Sequence, residues 1–267
     1  MEVTEGHLLG GRVRYAQPRD GYRTGIEPVL LAASVPAQPG ERVLEAGAGA
    51  GAGLLCLAAR VPGVVGVGVE LDPAMADLAR RNLRANGAAG LEVVTGDIAD
   101  VALETFDHAF ANPPWHDPRS TPSPVERRRL AKQGEGLEVW IAALTRMLKP
   151  GGSLSLILPA TPTARAVEAL AQARVGHVLQ QPLLPKAGRP AKIILLQARA
   201  GEERFVTHAA IVLHEEDGSF TEEADAVLRH GGALWWDVAH EGRTRMDCGG
   251  AENRPPLAPS PPGRGLG

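Results

Sequence analysis

The run ERVLEAGAGAGAGLLCLAAR, residues 41–60, constrains this chain more than any other stretch. RVLEAG (42–47) reads as a buried strand, a glycine-rich turn follows, and GLLCLAAR (53–60) continues as an apolar helix. A strand that feeds straight into a helix packs that helix back on its own sheet. Repeated, the unit gives a parallel sheet with helices on both faces. The unit does repeat. VVGVGVEL (64–71) is a second strand, followed by DPAMADLARRNLRANG, with Asp72 as helix N-cap, Pro73 at the first helical position and Gly87 as the stop. Met75, Leu78, Ala79 and Leu83 share one face of that helix.

LEVVTGD (91–97) is the third strand and FDHAFANPP (106–114) the fourth. The helix LEVWIAALTRMLKPGG puts Leu137, Trp140, Ile141, Leu144 and Leu148 on one stripe, ending at Pro150-Gly151-Gly152. SLSLILP (153–159) is the fifth strand, ARAVEALAQA (164–173) a helix, and strand signals recur near 175–183 and in AKIILLQARA (191–200). The expected architecture is a doubly wound, Rossmann-like α/β sheet spanning 41–200. Residues 1–40 form an N-terminal cap segment, with a short strand in GGRVRYAQP and a helix in EPVLLAASV. Residues 201–236 form a C-terminal appendage, and 237–267, rich in Pro and Gly, is expected to be disordered.

Composition sets bounds. With 44% hydrophobic but only 4% aromatic residues, Ala, Val and Leu must fill the core. A net charge of −3 gives no global basic field, so nucleic acid would have to be met by local patches. The two cysteines, Cys56 and Cys248, offer neither a disulfide framework nor a zinc spacing, and no metal is expected. No secretory layout and no membrane-length apolar run is present, so a cytoplasmic protein is expected.

The strand ends carry the chemistry. Gly47, Gly49 and Gly51 let the first turn approach a ligand closely while the next helix offers its N-terminal donors. Glu70 ends the second strand, where a carboxylate can accept from ribose hydroxyls, and Asp97 ends the third, near an adenine edge. Leu71 and Ile98, next in sequence to these acids, complete the set. GAGAGA also satisfies a loose dinucleotide pattern, so an NAD-dependent oxidoreductase is the alternative from a different class. Glu45 weighs against it. A carboxylate at the mouth suits the sulfonium and ammonium of S-adenosylmethionine and repels a pyrophosphate.

Together, LLGGRVRYAQPRDGYRTGIEPVLLAA, VLEAGAGAGAG, VGVELDP, GDI and NPPWHDP resemble class I S-adenosylmethionine-dependent methyltransferases. More narrowly, they are similar to the "methyltransferase small domain" group with an Asn-Pro-Pro-aromatic signature. That group includes bacterial enzymes acting on adenine N6 of a valine tRNA, on release-factor glutamine and on guanine N2 of ribosomal RNA. The resemblance covers about residues 8–230 and implies a seven-stranded sheet with an antiparallel last strand. It also implies that GYRTGIEPVLLAA folds over the methionine end of the cofactor, placing Thr24 and Glu27 near it. Trp115 stands where Tyr or Phe is commoner, which keeps the stacking surface and loses a phenol.

For this signature the expected catalytic residues are Asn112, Pro113, Pro114 and Trp115, with Asn112 also touching the cofactor. An exocyclic amine is a weak nucleophile because its lone pair is delocalised. If both N–H groups donate to fixed acceptors, the Asn112 side-chain oxygen and the Pro113 carbonyl, the lone pair turns toward the methyl. The prolines fix φ in the turn that holds both acceptors, and Trp115 can stack on a planar substrate. His116 and Asp117 are assigned a role in loop structure. Arg119, Arg127, Arg128, Arg129 and Lys132 leave segment 116–136 locally positive, and Lys186, Arg189 and Lys192 extend a basic edge that could meet RNA phosphates. The expected activity is methylation of adenine N6 in a tRNA. Protein glutamine and rRNA guanine N2 are the alternatives, and a monomer is preferred over an oligomer.

Overall fold

The computed structural model describes residues 1–20, 23–114, 136–200 and 204–234. Five strands run parallel in the heart of one sheet: β3 (Arg42–Ala46), β4 (Val65–Glu70), β5 (Leu91–Thr95), β6 (Phe106–Ala111) and β7 (Leu148–Pro159). β9 (Ile193–Arg199) lies antiparallel between β7 and β8 (His177–Lys186). The order β5-β4-β3-β6-β7-β9-β8 is the doubly wound sheet expected, with its last strand reversed. Two short strands extend it to nine. β10 (Arg204–Thr207) and β11 (Ile211–His214) pair in parallel with successive halves of the free edge of β8.

Helices cover both faces. α1 (Glu27–Ser34), α2 (Ala52–Arg60) and α3 (Pro73–Ala85) pack on one side, where Leu30, Leu31, Leu54, Leu57 and Leu78 join Val43, Phe110 and Leu195 from the strands. α4 (Gly136–Arg146) and α5 (Thr163–Gln172) cover the other, with Trp140, Ile141, Leu144 and Leu170 against Leu44, Leu154 and Leu196. Central strands are apolar on both faces because both faces are covered.

Local rules act as read in several places. Asp72 caps α3, its Oδ1 accepting from the N–H groups of Ala74 at 2.9 Å and Met75 at 3.4 Å, and Gly87 follows the helix in a left-handed conformation. Of the four residues assigned to its inner face, Leu78, Ala79 and Leu83 are buried and Met75 is half-buried.

Three features differ from the sequence reading. Val3–Leu8 forms an additional strand, β1, pairing antiparallel with β2 (Val13–Pro18), and this hairpin leans on α3. Its mixed burial left no period to detect. α4 ends at Arg146, and Leu148 belongs to β7, opposite Phe106, with an irregularity in the ladder before His108 pairs Ser153. The strand thus takes in Pro150-Gly151-Gly152 instead of starting after it, because the Phe106 pairing continues past the glycines. The appendage residues also contribute β10, β11 and a helix, α6 (Glu222–Leu228), whose Val227 and Leu228 enter the same core as α1.

Phe110, next to last in β6, is fully buried in the core it shares with α1 and α2. Phe110→Ala is expected to lower stability by about 3–5 kcal/mol. Urea unfolding should show a lower midpoint with an unchanged slope; a loss below about 1 kcal/mol would contradict this packing.

Candidate functional site

Parallel register builds the site. Ala46 pairs with Val69 on one side and Ala111 on the other, and Glu70 pairs with Thr95. The turns that follow therefore stand side by side at one edge: Gly96-Asp97, Leu71-Asp72, Gly47–Gly51 and Asn112–Pro114. β3 is where successive crossovers change direction, and a crevice opens at such a switch point. A cleft of about 520 Å³ lies there, within the range of small-molecule sites.

Gly47 has φ +67°, and a Cβ on it would stand 2.7 Å from Cη2 of Trp140. The turn must be glycine both for its left-handed backbone and because α4's indole presses on it from the opposite face. Backbone bonds fix the loop. The N–H groups of Gly47 and Ala48 both donate to the Val69 carbonyl, at 2.8 and 3.1 Å, and Gly51 N–H donates to the Ala48 carbonyl at 2.8 Å. Glu70 braces it from the next strand: its Oε2 accepts from Gly49 N–H at 2.8 Å and its Oε1 from Asp72 N–H at 2.9 Å. Each oxygen has a further lone pair able to accept a hydroxyl.

Glu45 lies deeper than the sequence reading put it. It forms part of the cleft wall but is only 5% exposed, beneath the loop instead of at its mouth. Its Oε2 accepts from Leu54 N–H, in the first turn of α2, at 2.9 Å. A methyl on Gly53 would overlap its carboxylate. Burial pushes the carboxyl up to about 8, the Leu54 N–H opposes that rise, and the charge of Glu70 adds to it. At neutral pH this environment favours the protonated form.

Of the other sequence-assigned residues, Thr24, Gly47, Gly49, Glu70, Leu71 and Asn112 all line the cleft. Gly51 does not; it is the N-cap of α2. Asp97 and Ile98 line a small adjoining hollow together with Gly47, Glu70, Leu71 and Trp140. Pro113 is buried and Pro114 half-buried behind Asn112. Glu27 opens α1, whose Pro28 and Leu31, but not Glu27, are in the cleft wall. Trp115, His116, Asp117 and the basic residues of 116–135 lie outside the described residues.

Sequence reasoning assigned none of Tyr15, Met75 and Trp140 to the site, Met75 and Trp140 having been placed on core-facing helix stripes. Tyr15 is buried, lines the cleft, and its hydroxyl is 2.7 Å from Thr24 Oγ1. Its place in VRYAQP, between exposed Arg14 and half-buried Ala16, was the available signal.

The wall has a definite electrostatic character. Asp20, Glu45, Glu70 and Asp72 are among the described residues that line it, and no Lys or Arg is. Such a wall attracts a cationic ligand and opposes a pyrophosphate. Among the described residues no group of three or more His, Cys, Asp and Glu could hold a metal ion, and no helix is long and apolar enough to cross a membrane.

Comparison with known proteins adds four findings. The family model "Methyltransferase small domain" matches residues 28–175. A tRNA1(Val) (adenine(37)-N6)-methyltransferase of Aeromonas hydrophila is 31% identical over 212 residues, covering 76% of this chain and 87% of the relative. One from Dickeya chrysanthemi is 28% identical over 227 residues, covering 80% and 89%. The crystal structure of a predicted O-methyltransferase from Agrobacterium tumefaciens superposes with a TM-score of 0.65 at 27% identity, covering 78% of this chain and 98% of that one.

The raised Glu45 has a consequence for stability. The folded chain keeps this proton up to about pH 8 while the unfolded chain releases it near 4.5. Between those values rising pH therefore weakens the fold by a few kcal/mol, and above about 8 the effect levels off. Glu45→Gln keeps an acceptor for Leu54 N–H without the proton. Thermal melts without ligand should show Glu45→Gln gaining on the wild type as pH climbs from about 5 to about 8. A gap that stays constant with pH would show Glu45 to be ionised throughout.

Proposed function

This chain belongs to the methyltransferase small domain family and is an S-adenosylmethionine-dependent methyltransferase, and from that premise we propose that it methylates an exocyclic amine of RNA, adenine N6 of a tRNA foremost. The observation that carries the proposal is the position of Asn112. It follows directly on Ala111, opposite Ala46, and so reaches the donor cleft beside Gly47.

The fit of the donor rests on the wall itself. S-adenosylmethionine supplies an electrophilic methyl on a sulfonium. Glu70 offers acceptors to ribose hydroxyls, with Leu71 beside it, and Asp97 and Ile98 stand in the next hollow for the adenine edge. Gly47, Gly49 and Gly51 shape the loop, and Glu45 beneath it becomes the counter-charge for a cation. Thr24, held by Tyr15 and with its N–H donating to Gln17 Oε1 at 3.0 Å, closes the cleft from the cap side. A nicotinamide dinucleotide would meet the same acids with its pyrophosphate.

On the acceptor side, the Asn112 side-chain oxygen and the Pro113 carbonyl orient the amine, and Pro113 and Pro114 hold the turn rigid. In that arrangement Asn112 and Pro113 would hold the nitrogen lone pair in line with the donor's methyl group, and after transfer the surplus N–H proton would pass to solvent water. Orientation is the main contribution, since aligned reactants can be worth roughly 7–11 kcal/mol. A hydroxyl acceptor would instead need a base, which neither Asn112 nor proline supplies. Trp115 is assigned stacking on the base, on its place in the sequence.

Support for RNA comes from the relatives' names and from local charge. Lys186 ends β8, Arg189 and Lys192 follow in the β8–β9 connection, and Ile193 pairs with Pro159 at the end of β7. These cations thus lie at the same sheet edge as Asn112, with Arg189 and Lys192 exposed. Phosphates of a bound RNA would be their partners.

Asn112→Ala should lower kcat by on the order of 10²-fold or more while binding of S-adenosylmethionine stays within about threefold of wild type. Calorimetric titration with single-turnover assays on tRNA measures both. Nucleoside mass spectrometry of tRNA from a strain lacking the gene should show loss of N6-methyladenosine. Unchanged N6-methyladenosine would overturn the RNA reading and turn attention to protein glutamine.

A further inference from the structure

Asn82 is 3% exposed on the inner face of α3 and bonds two segments remote from each other in sequence. Its Oδ1 accepts from Ala16 N–H at 3.0 Å, and its Nδ2 donates to the Ala16 carbonyl at 2.8 Å and to the Ala50 carbonyl at 2.9 Å. One turn further on, Asn86 treats the same strand alike. Its Oδ1 accepts from Arg14 N–H at 2.9 Å and its Nδ2 donates to the Arg14 carbonyl at 2.7 Å. Arg14 and Ala16 are alternate residues of β2, so both turn their backbone groups away from β1. The two carboxamides serve them as a third strand would.

The difference between the asparagines matters. Asn86 spends its remaining hydrogen on the Asn82 carbonyl, inside its own helix. Asn82 spends its on Ala50, in the donor loop. Ala50, Gly49 and Gly47 line the cleft, as does Tyr15, the residue next to Ala16, whose hydroxyl reaches Thr24. Met75, two turns before Asn82 on α3, lines it too. A single buried side chain therefore joins the cap hairpin, the glycine loop and α3, three walls of one cavity.

We infer that Asn82 is a positioning residue that holds the cap hairpin and the donor loop at the spacing the methyl donor requires. Without its carboxamide, the Ala16 groups and the Ala50 carbonyl lose their partner at a buried junction, and the two walls are free to separate. Asn86, which grips only the hairpin, sets no such spacing. The inference rests on the donor occupying this cleft, as proposed above.

The test compares Asn82→Ala, Asn86→Ala and Glu70→Ala in the full chain, below their melting temperatures, by calorimetric binding of S-adenosylmethionine and by steady-state kinetics. Asn82→Ala should weaken donor binding about tenfold or more and Asn86→Ala by less than about threefold, although both loosen the hairpin. At saturating donor, kcat of Asn82→Ala should stay near wild type, with the loss in KM. Equal effects of the two asparagine variants would show that the hairpin's stability alone matters and overturn the inference. So would wild-type affinity in Asn82→Ala when Glu70→Ala binds poorly. If Glu70→Ala also binds as wild type, the cleft assignment is what fails. Should Asn82→Ala not fold, hydrogen exchange of the unmodified chain decides. Added S-adenosylhomocysteine should slow the Ala16 amide more than the Arg14 amide, and equal protection would refute the coupling.

Discussion

Ala46 belongs to two parallel ladders at once, paired with Val69 on one side and Ala111 on the other, and the rest of the site depends on that pairing. It brings residues from distant parts of the chain onto one line at the sheet edge, with the glycine loop in the middle, Glu70 on one flank and Asn112 on the other. None of these positions is set by a loop alone. Glu70 is the last residue of its strand, and Gly47 and Asn112 are the first beyond theirs, each strand fixed by its neighbours and covered by helices on both faces. Groups held in this way keep their spacing, as a transfer governed by alignment requires.

On this frame the acids divide the work through burial. Glu70 and Glu45 both accept backbone N–H groups, Glu70 from Gly49 and Asp72 and Glu45 from Leu54. Glu70 braces the glycine loop through one oxygen and its own turn through the other, and each oxygen has a further lone pair. Glu45 is sealed beneath the loop, and its environment favours the neutral form. A buried acid that stays neutral spares the fold the cost of an uncompensated charge beneath the loop. With no Lys or Arg in the described wall, the same arrangement disfavours ligands carrying phosphate.

Much of this was legible from the sequence, and the parts that were not share a physical cause. Strand and helix alternation, the glycine loop, the Asp72 cap and the acids at strand ends are local or periodic signals, read without knowing what packs against what. Glu45 was placed at the mouth because sequence gives its distance from Gly47 but not the direction of its side chain. Trp140 was assigned to the core, correctly, yet its pressure on Gly47 arises only when α4 docks across the sheet. β10 and β11 are four residues each, too short for a period. Asn82 and Asn86 did leave a trace. They continue the i, i+3, i+4 stripe of Met75, Leu78, Ala79 and Leu83, where a polar residue has to find a buried partner.

The chain's described C-terminal part also acts on the site, through α1. Pro28 and Leu31 of this helix form part of the cleft wall, and α1 is gripped at its far end by groups from later in the chain. Leu234 N–H donates to the Ala33 carbonyl at 2.8 Å, and Gln197 Nε2 donates to the Ser34 carbonyl at 3.1 Å. Val227 and Leu228 of α6 fill the apolar space beside it. The hairpin turn is held from the same direction, since a Cβ on Gly10 would lie 2.8 Å from the Arg229 carbonyl. The last carbonyls of a helix have no partner within it, and here strand β9 and the segment after α6 supply the donors. Cap hairpin, α1 and α6 thus form one layer, in which the residues of the cleft wall are secured both by α3 beneath them and by the end of the described chain.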